Sequence, residues 1–396
     1  MVYSVSIAAM YMRDPYDPLI RPFFYEDKNF EVFITAQGGI KGKAYSEDGA
    51  SNALRIWQPD QDALAMLKGF SPMSLIGMKG TLVDATDDGV RGHFIPSGSI
   101  RLRHAETIAA RARFYQDWTI GLYVPFYATE LSDVCWSDQT KSENMEDLRV
   151  KQYLTQNFFE IVKTLGDGLE LGPWSRAGLG DMTFFVEWGH NFAQTKPFLK
   201  NVRLGGRLGL QIPTGKHEDI DKIEAFAFGN DGAWGLPFAL SLDLSLSEHM
   251  RAGVDVQLTH IFGHAKTRRI KTDVAQTDLL FLQKALVYKD YGLEQRFNMY
   301  VQAYRFYGFS ALVGYQFFKH GEDVYAIVGN CFSSSIANTA ERLQDYTTHH
   351  IVTSLKYAYF DSDRFIPQVE LFAQIPVKGK RALATTTLGC VISCDF

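Results

Sequence analysis

Ile100-Arg101-Leu102-Arg103-His104-Ala105-Glu106-Thr107-Ile108-Ala109-Ala110-Arg111-Ala112-Arg113-Phe114-Tyr115 alternates between two faces along its whole length. One face carries Ile100, Leu102, His104, Glu106, Ile108, Ala110, Ala112 and Phe114; the other carries Arg101, Arg103, Ala105, Thr107, Ala109, Arg111, Arg113 and Tyr115. A period of two is the signature of a strand. At about 3.3 Å per residue this one spans roughly 50 Å, where soluble sheets use about five or six residues. Such length suits a strand that crosses a bilayer and projects beyond it.

Outward from that stretch, the same pattern recurs in pairs. Gln116-Asp117 makes a minimal turn into Trp118–Thr129, and further hairpins read at Asp181–Phe192 with Val202–Ile212, and Leu236–Leu246 with Met250–Leu258. Others follow at Leu293–Tyr307 with Phe309–Phe318 and at Ile351–Phe360 with Phe365–Val377, with an opening strand from Asn29 to about Ala44 and a last one over Ala382–Phe396. About twelve strands result. A pair around Leu54–Trp57 and Gly92–Ile95 would raise the number to fourteen. Connections alternate between short turns and mostly long loops, the mark of a closed barrel with its short turns in the periplasm. The fold class expected is all-β, a transmembrane antiparallel barrel, with helical insertions in the extracellular loops at Pro59–Leu67, Met145–Leu165 and Ala337–Gln344.

Composition agrees. The 396 residues are 46% hydrophobic and 21% charged with a net charge of -5, which excludes a disordered chain and a nucleic-acid binder. No apolar run reaches the roughly 18 residues of a membrane helix, so strands must carry any membrane span. With 29 Phe and 19 Tyr, the chain has the rings that furnish a lipid face and its interfacial girdles. The start, Met1–Met10, lacks a signal-peptide pattern, so the expectation is either a cytosolic chain or one whose signal has been removed.

On the barrel reading, the inward faces carry Arg101, Arg103, Arg111, Arg113, Arg203, Arg207, Arg251 and Arg296 opposite Glu31, Asp181, Glu187, Asp243, Asp255, Glu294, Glu370 and Asp395. These line the lumen either as ion pairs that close it or as a cationic wall beside an anionic one. A hydrolase in the barrel wall would need Ser, His and a polar orienter on neighbouring outward positions. His190 and His260 face outward, but no serine suits them. His217, Glu218, Asp219 and Asp221 crowd one loop, where solvation or weak calcium binding is the simpler reading. There is no zinc spacing, and Gly205–Gly209 lies within a strand rather than in a phosphate loop; no metal and no cofactor are expected. Cys390 and Cys394, about 13 Å apart along one strand, cannot pair. Cys135 and Cys331 both fall in extracellular loops, and a disulfide between them is one expectation.

Gly178-Leu179-Gly180-Asp181, followed by Leu208-Gly209-Leu210-Gln211-Ile212-Pro213-Thr214-Gly215-Lys216 and Asp219, resembles the FadL-like outer-membrane transporters and the related barrels of phenol degradation. The resemblance implies an outer-membrane location and passive uptake of small, often hydrophobic molecules, with an N-terminal segment plugging the lumen. Residues 1–28 would be that segment, Met1–Asp27 being rich in Tyr, Phe, Ile and Met, and residues 29–396 the barrel. Phe396, with Ile392 and Leu388 on its face, looks like the C-terminal signal read by the barrel-insertion machinery. The expected partners are that machinery, outer-membrane lipid and a small-molecule solute. A structural or surface-interaction barrel without transport is the alternative.

Overall fold

The structure is a computed structural model that describes residues 28–70, 89–146, 148, 151–329, 331–359 and 365–396; the expected plug, Met1–Asp27, lies outside them. Twelve strands form the wall: β1 (Phe30–Tyr45), β2 (His93–Tyr115), β3 (Trp118–Asp138), β4 (Met182–Lys196), β5 (Leu199–Ile212), β6 (Gly235–Ser245), β7 (Met250–Ile261), β8 (Glu294–Phe306), β9 (Phe309–His320), β10 (Tyr346–Ala358), β11 (Ile366–Lys380) and β12 (Ala382–Asp395). Each pairs antiparallel with its chain neighbours, and β1 closes the ring by pairing with both β12 (Glu31 opposite Asp395) and β2 (Glu31 opposite Arg111). Closure leaves no edge, which a sheet in lipid requires.

Alternation along each strand sorts side chains inside out relative to a soluble protein. On β6, Leu236, Phe238 and Leu240 are exposed while Ala239 and Asp243 are buried. Phe30, Trp118, Phe192, Phe309 and Phe396 ring the short-turn end as exposed aromatics, the girdle expected where acyl chains meet headgroups.

Among the described residues the first long loop adds no wall-spanning strand pair, only the two-residue strands Ala50–Ser51 and Gln61–Asp62 that pair with β1 and β2. His93–Ile95 lengthens β2, which runs for 23 residues, and Ala53–Arg55 is a 3-10 turn, not a strand. The unbroken alternation from Ile100 to Tyr115 is also corrected: Leu102 faces Thr129 and His104 faces Ala128, so Arg103 is the extra residue of a β-bulge. An inserted residue reverses the faces beyond it. Below the bulge Ala105, Thr107, Ala109 and Arg111 point inward; above it Ile100 and Leu102 do.

Those two residues belong to an extracellular cap. Leu54, Ile56, Leu64, Met66, Leu154, Phe158, Val162, Trp174 and Phe228 from the long loops pack with Ile100, Leu102, Tyr127 and Leu131 of β2 and β3 in one apolar core over the mouth. Helix α1 (Ala63–Lys68) is capped by the Asp62 carboxylate, which accepts from the amides of Leu64 (2.8 Å) and Ala65 (2.9 Å). It begins later than the sequence suggests because that cap sets its start. In the second loop the structure has a helix at Ser142–Met145, a wide turn at Lys151–Thr155 and α2 (Phe158–Leu165); in the loop between β9 and β10 it has single turns at Ser334–Ala337 and Glu341–Leu343. An accessory sheet of His264–Ile270, Gln283–Asp290 and Val324–Ile327 completes the cap around Phe281, Val287, Tyr325 and Leu343.

The two family-like motifs are knitted together at the outer end of β4 and β5. Asp181 accepts from the amides of Gly215 (2.8 Å) and Asn230 (2.6 Å), while the Thr214 hydroxyl donates to the carbonyl of Gly180 (3.0 Å) and accepts from the Met182 amide (3.0 Å). Their chemistry is that of a loop anchor.

Candidate functional site

The lumen has two unlike walls. On β5 to β9 the inward positions are mainly charges, amides and small residues, with Tyr300, Leu312 and Phe318 among them. On β10 to β12 and β1 to β4 they include Val352, Phe372, Val391, Phe33, Ala109, Tyr123 and Phe185, which form one buried apolar cluster. Phe33 meets Tyr123 edge-on at 5.4 Å, and Tyr123 stacks on Phe185 at 4.9 Å. Three of the inward rings, Phe185, Phe372 and Tyr300, lie over a glycine on the next strand. A Cβ at Gly121 would come 2.2 Å from Phe185 Cζ, one at Gly389 2.2 Å from Phe372 Cζ, and one at Gly253 2.6 Å from Tyr300 Cε1; only glycine permits that approach.

Arg111 stands between the walls. Its guanidinium donates to Glu31 Oε2 (2.9 Å) and Glu187 Oε2 (2.7 Å), and Glu187 Oε1 accepts from Arg207 Nε (2.7 Å). All four side chains are buried, and Arg207 lies 4.7 Å above the Phe185 ring. A buried guanidinium is tolerable only with such partners, and removing one leaves an uncompensated charge worth about 3–5 kcal/mol. This cluster therefore braces the bore.

Farther round, Asp255 accepts from Asn298 (2.9 Å), Arg296 donates to Gln257 (2.8 Å), and Arg251 donates to Gln302 (2.7 Å). Asp243 is buried opposite Arg203 in the β5–β6 register. Glu294 lies 3.4 Å from His320, which also contacts Asp323 at 3.0 Å; Asp323 in turn binds Lys289. Glu370 is buried opposite Val391 and Lys356, and Arg113 is half-buried near the short-turn end beside Thr119.

Arg101 and Arg103 do not line the bore. The bulge turns them outward, where both bind Glu130 and keep about half of their side-chain surface exposed (49% and 53%). Cys135 and Cys331 are free, exposed thiols. Cys135 is fixed on β3 opposite Ser97, whereas Cys331 follows the accessory strand Val324–Ile327 in the loop between β9 and β10.

Parity alone missed the amides Gln257, Asn298, Gln302, Gln316 and Gln374 and the apolar half-wall. The signal was present in Tyr123 and Phe185, large rings at positions whose neighbours on the same face are Thr119, Gly121 and Glu187.

The crowded loop resolves into ion pairs of the cap. Glu218 binds Arg268 (3.0 Å), Asp219 binds Lys222 (2.9 Å), and Asp221 binds Arg269 (2.5 Å) and Lys284 (2.9 Å). Burial would raise the Asp231 carboxyl, but Arg268 and Lys266 outweigh it and hold that group at about 2. Outward His190 contacts Asp117 at 2.7 Å, with Trp188 and Phe192 beside it and Leu204 across the strand, and none of these is a nucleophile. His260 packs on Phe262 at the rim.

No family model matches the sequence, and no curated protein matches it. Among solved structures, an outer-membrane channel from Pseudomonas putida F1 matches with a TM-score of 0.54 at 11% identity, covering 96% of this chain and 100% of the channel. The toluene transporter TodX of Pseudomonas putida (TM-score 0.35, 8% identity, 93% and 89% covered) and a FadL homologue of Pseudomonas aeruginosa (0.31, 9%, 93% and 90%) are more distant. The fold is that of an outer-membrane channel barrel.

Proposed function

We propose that the protein passes small molecules with an apolar body across the outer membrane, passively and through the lumen. The observation that carries this reading is the division of the bore. A purely structural barrel gains nothing from facing Phe33, Tyr123, Phe185 and Phe372 with a wall of Asp243, Asp255, Arg296 and Asn298. A solute that is part hydrocarbon and part hydrogen-bonding group would find both surfaces within one passage, as binding sites generally combine them. That the fold matches an outer-membrane channel over the channel's whole length agrees in kind. Met1–Asp27 we assign to the lumen as a plug, on its apolar composition and on the inward burial of Lys28 just before β1. Insertion through the C-terminal strand by the barrel-insertion machinery belongs to the same proposal.

The test is bilayer conductance and uptake of aromatic and sugar solutes by the full chain beside a chain lacking Met1–Asp27. Deletion should raise conductance, and uptake should favour the aromatic solute. A chain that passes neither solute in either form would return the protein to the surface-interaction reading. The apolar outer face of the accessory sheet, with exposed Leu286, Tyr288 and Val328, favours that second reading.

A further inference from the structure

The outward faces of β9, β10 and β11 change character over three rungs of the ladder. The lowest is apolar: Tyr315 opposite Ile351 opposite Ile375. The next is Phe317, His349 and Lys378, and the uppermost, nearest the long loops, is Lys319, Thr347 and Lys380. A bulge makes this possible. His350 faces Pro376 and His349 faces Lys378, so Val377 is an extra residue, and Val377 and Lys378 are exposed side by side.

The upper groups are held in place. Lys319 (3.1 Å), Lys380 (3.5 Å) and Arg381 (3.5 Å) converge on the Asp345 carboxylate, and Lys380 (3.5 Å) and Arg381 (2.6 Å) share Glu47, with Glu341 3.7 Å from Arg381. The ring of His349 is fixed by the Tyr315 hydroxyl at 2.5 Å from Nδ1 and packs 5.0 Å from Phe317. Lys319, Lys380 and Arg381 thus share three carboxylates, Asp345, Glu47 and Glu341, and Lys378, which makes no ion pair among the described residues, is the uncompensated charge beside them, directly above hydrocarbon-facing side chains. The other outward basic pair differs: Arg101 and Arg103 are both answered by Glu130, with Glu106 exposed beside them.

A cationic shelf on the lipid-facing side of a barrel, at its extracellular end, meets the phosphates of the outer leaflet, and lysine stems can lie along the apolar surface while their ammonium groups reach that level. We propose that the outer face of β9–β11 binds a phosphorylated lipid of the outer leaflet. Its phosphate would sit among Lys319, Lys378 and Lys380, and its acyl chains on Tyr315, Ile351 and Ile375. The apolar rung below makes the occupant a lipid rather than a free anion.

The experiment is native mass spectrometry of the full chain in detergent, titrated with bis-phosphorylated lipid A, its dephosphorylated form and inorganic phosphate. The phosphorylated lipid should bind and the dephosphorylated one should not. Each lysine charge being worth about fivefold at such a surface, Lys378→Ala should weaken binding about fivefold and Lys378→Glu about twenty-five-fold. Arg103→Glu should leave the affinity within about twofold, because the other sector is already neutralised. Heat-modifiable gel migration checks that each variant is folded. Equal binding of the dephosphorylated lipid, an unchanged Lys378→Glu, equal loss in Arg103→Glu, or full competition by inorganic phosphate at the lipid's own concentration would each overturn the proposal.

Discussion

The barrel wall and the extracellular cap are built on opposite rules from one chain. In the wall, Leu240, Val256 and Val313 are exposed and Arg111, Glu187 and Asp255 are buried; in the cap, Leu54, Leu64, Leu154 and Phe228 are buried, and the charges buried beside that core, Arg268, Lys289 and Asp323 among them, are held in ion pairs. Each region obeys the solvent on its outer side, lipid for the first and water for the second. Strand β2 serves both, and the bulge at Arg103 is where it changes allegiance. Ile108 faces lipid below it, and Ile100 faces the cap core above it. Arg111 points in, and Arg101 points out.

Deleting Arg103 is the harshest way to break this arrangement. Without the extra residue, either Ile100 and Leu102 leave the cap core or Ile108 and Arg111 exchange faces. Refolding into detergent should fail for most of the chain, read as loss of the heat-modifiable band, and normal refolding would show that the bulge is incidental. Next in size, Arg111→Leu strands Glu31 and Glu187 and should cost about 3–5 kcal/mol in urea-dependent refolding. Adding Glu187→Gln should recover part of it.

Leu240→Arg, which puts a charge against lipid, should cost about 2–4 kcal/mol, whereas Ser241→Arg on the next, inward position should cost much less. Equal losses would contradict the inside-out assignment. The smallest effect concerns the cap alone. Asp231 is held below its ordinary value of 3.8, at about 2, so its stabilisation is present above the unfolded value and lost as pH falls through that window. Amide exchange in residues 213–234 should quicken at such acidity while β6 and β7 stay protected, and Asp231→Asn should abolish the difference.

Much of the wall was legible, because lipid outside and charge inside leave period-two alternation that no soluble sheet of this length shows. The alternating segments supplied the strand count, and the loop asymmetry checked it. The bulge was not legible: Arg103 continues the local pattern, and only its partners Thr129 and Ala128 show the extra residue. Parity placed Arg111, Glu187 and Arg207 on one face but could not say that they meet, which depends on register. The cap core was hidden for a different reason. Leu54, Leu154 and Phe228 come from three separate loops, and irregular segments carry no period from which a shared interior can be read.

The glycines beneath the rings bear on how such a bore can change over time. Exchanging a wall aromatic alters the chemistry of the barrel interior. Exchanging Gly121 or Gly389 instead leaves every lining residue in place and lifts a ring off its neighbour, because a single methyl would stand 2.2 Å from it. The packing of the barrel interior can therefore be adjusted from behind its lining, one carbon at a time, with the chemistry of the lining preserved. A lineage that needs a differently shaped interior can reach it by single-codon steps at glycine.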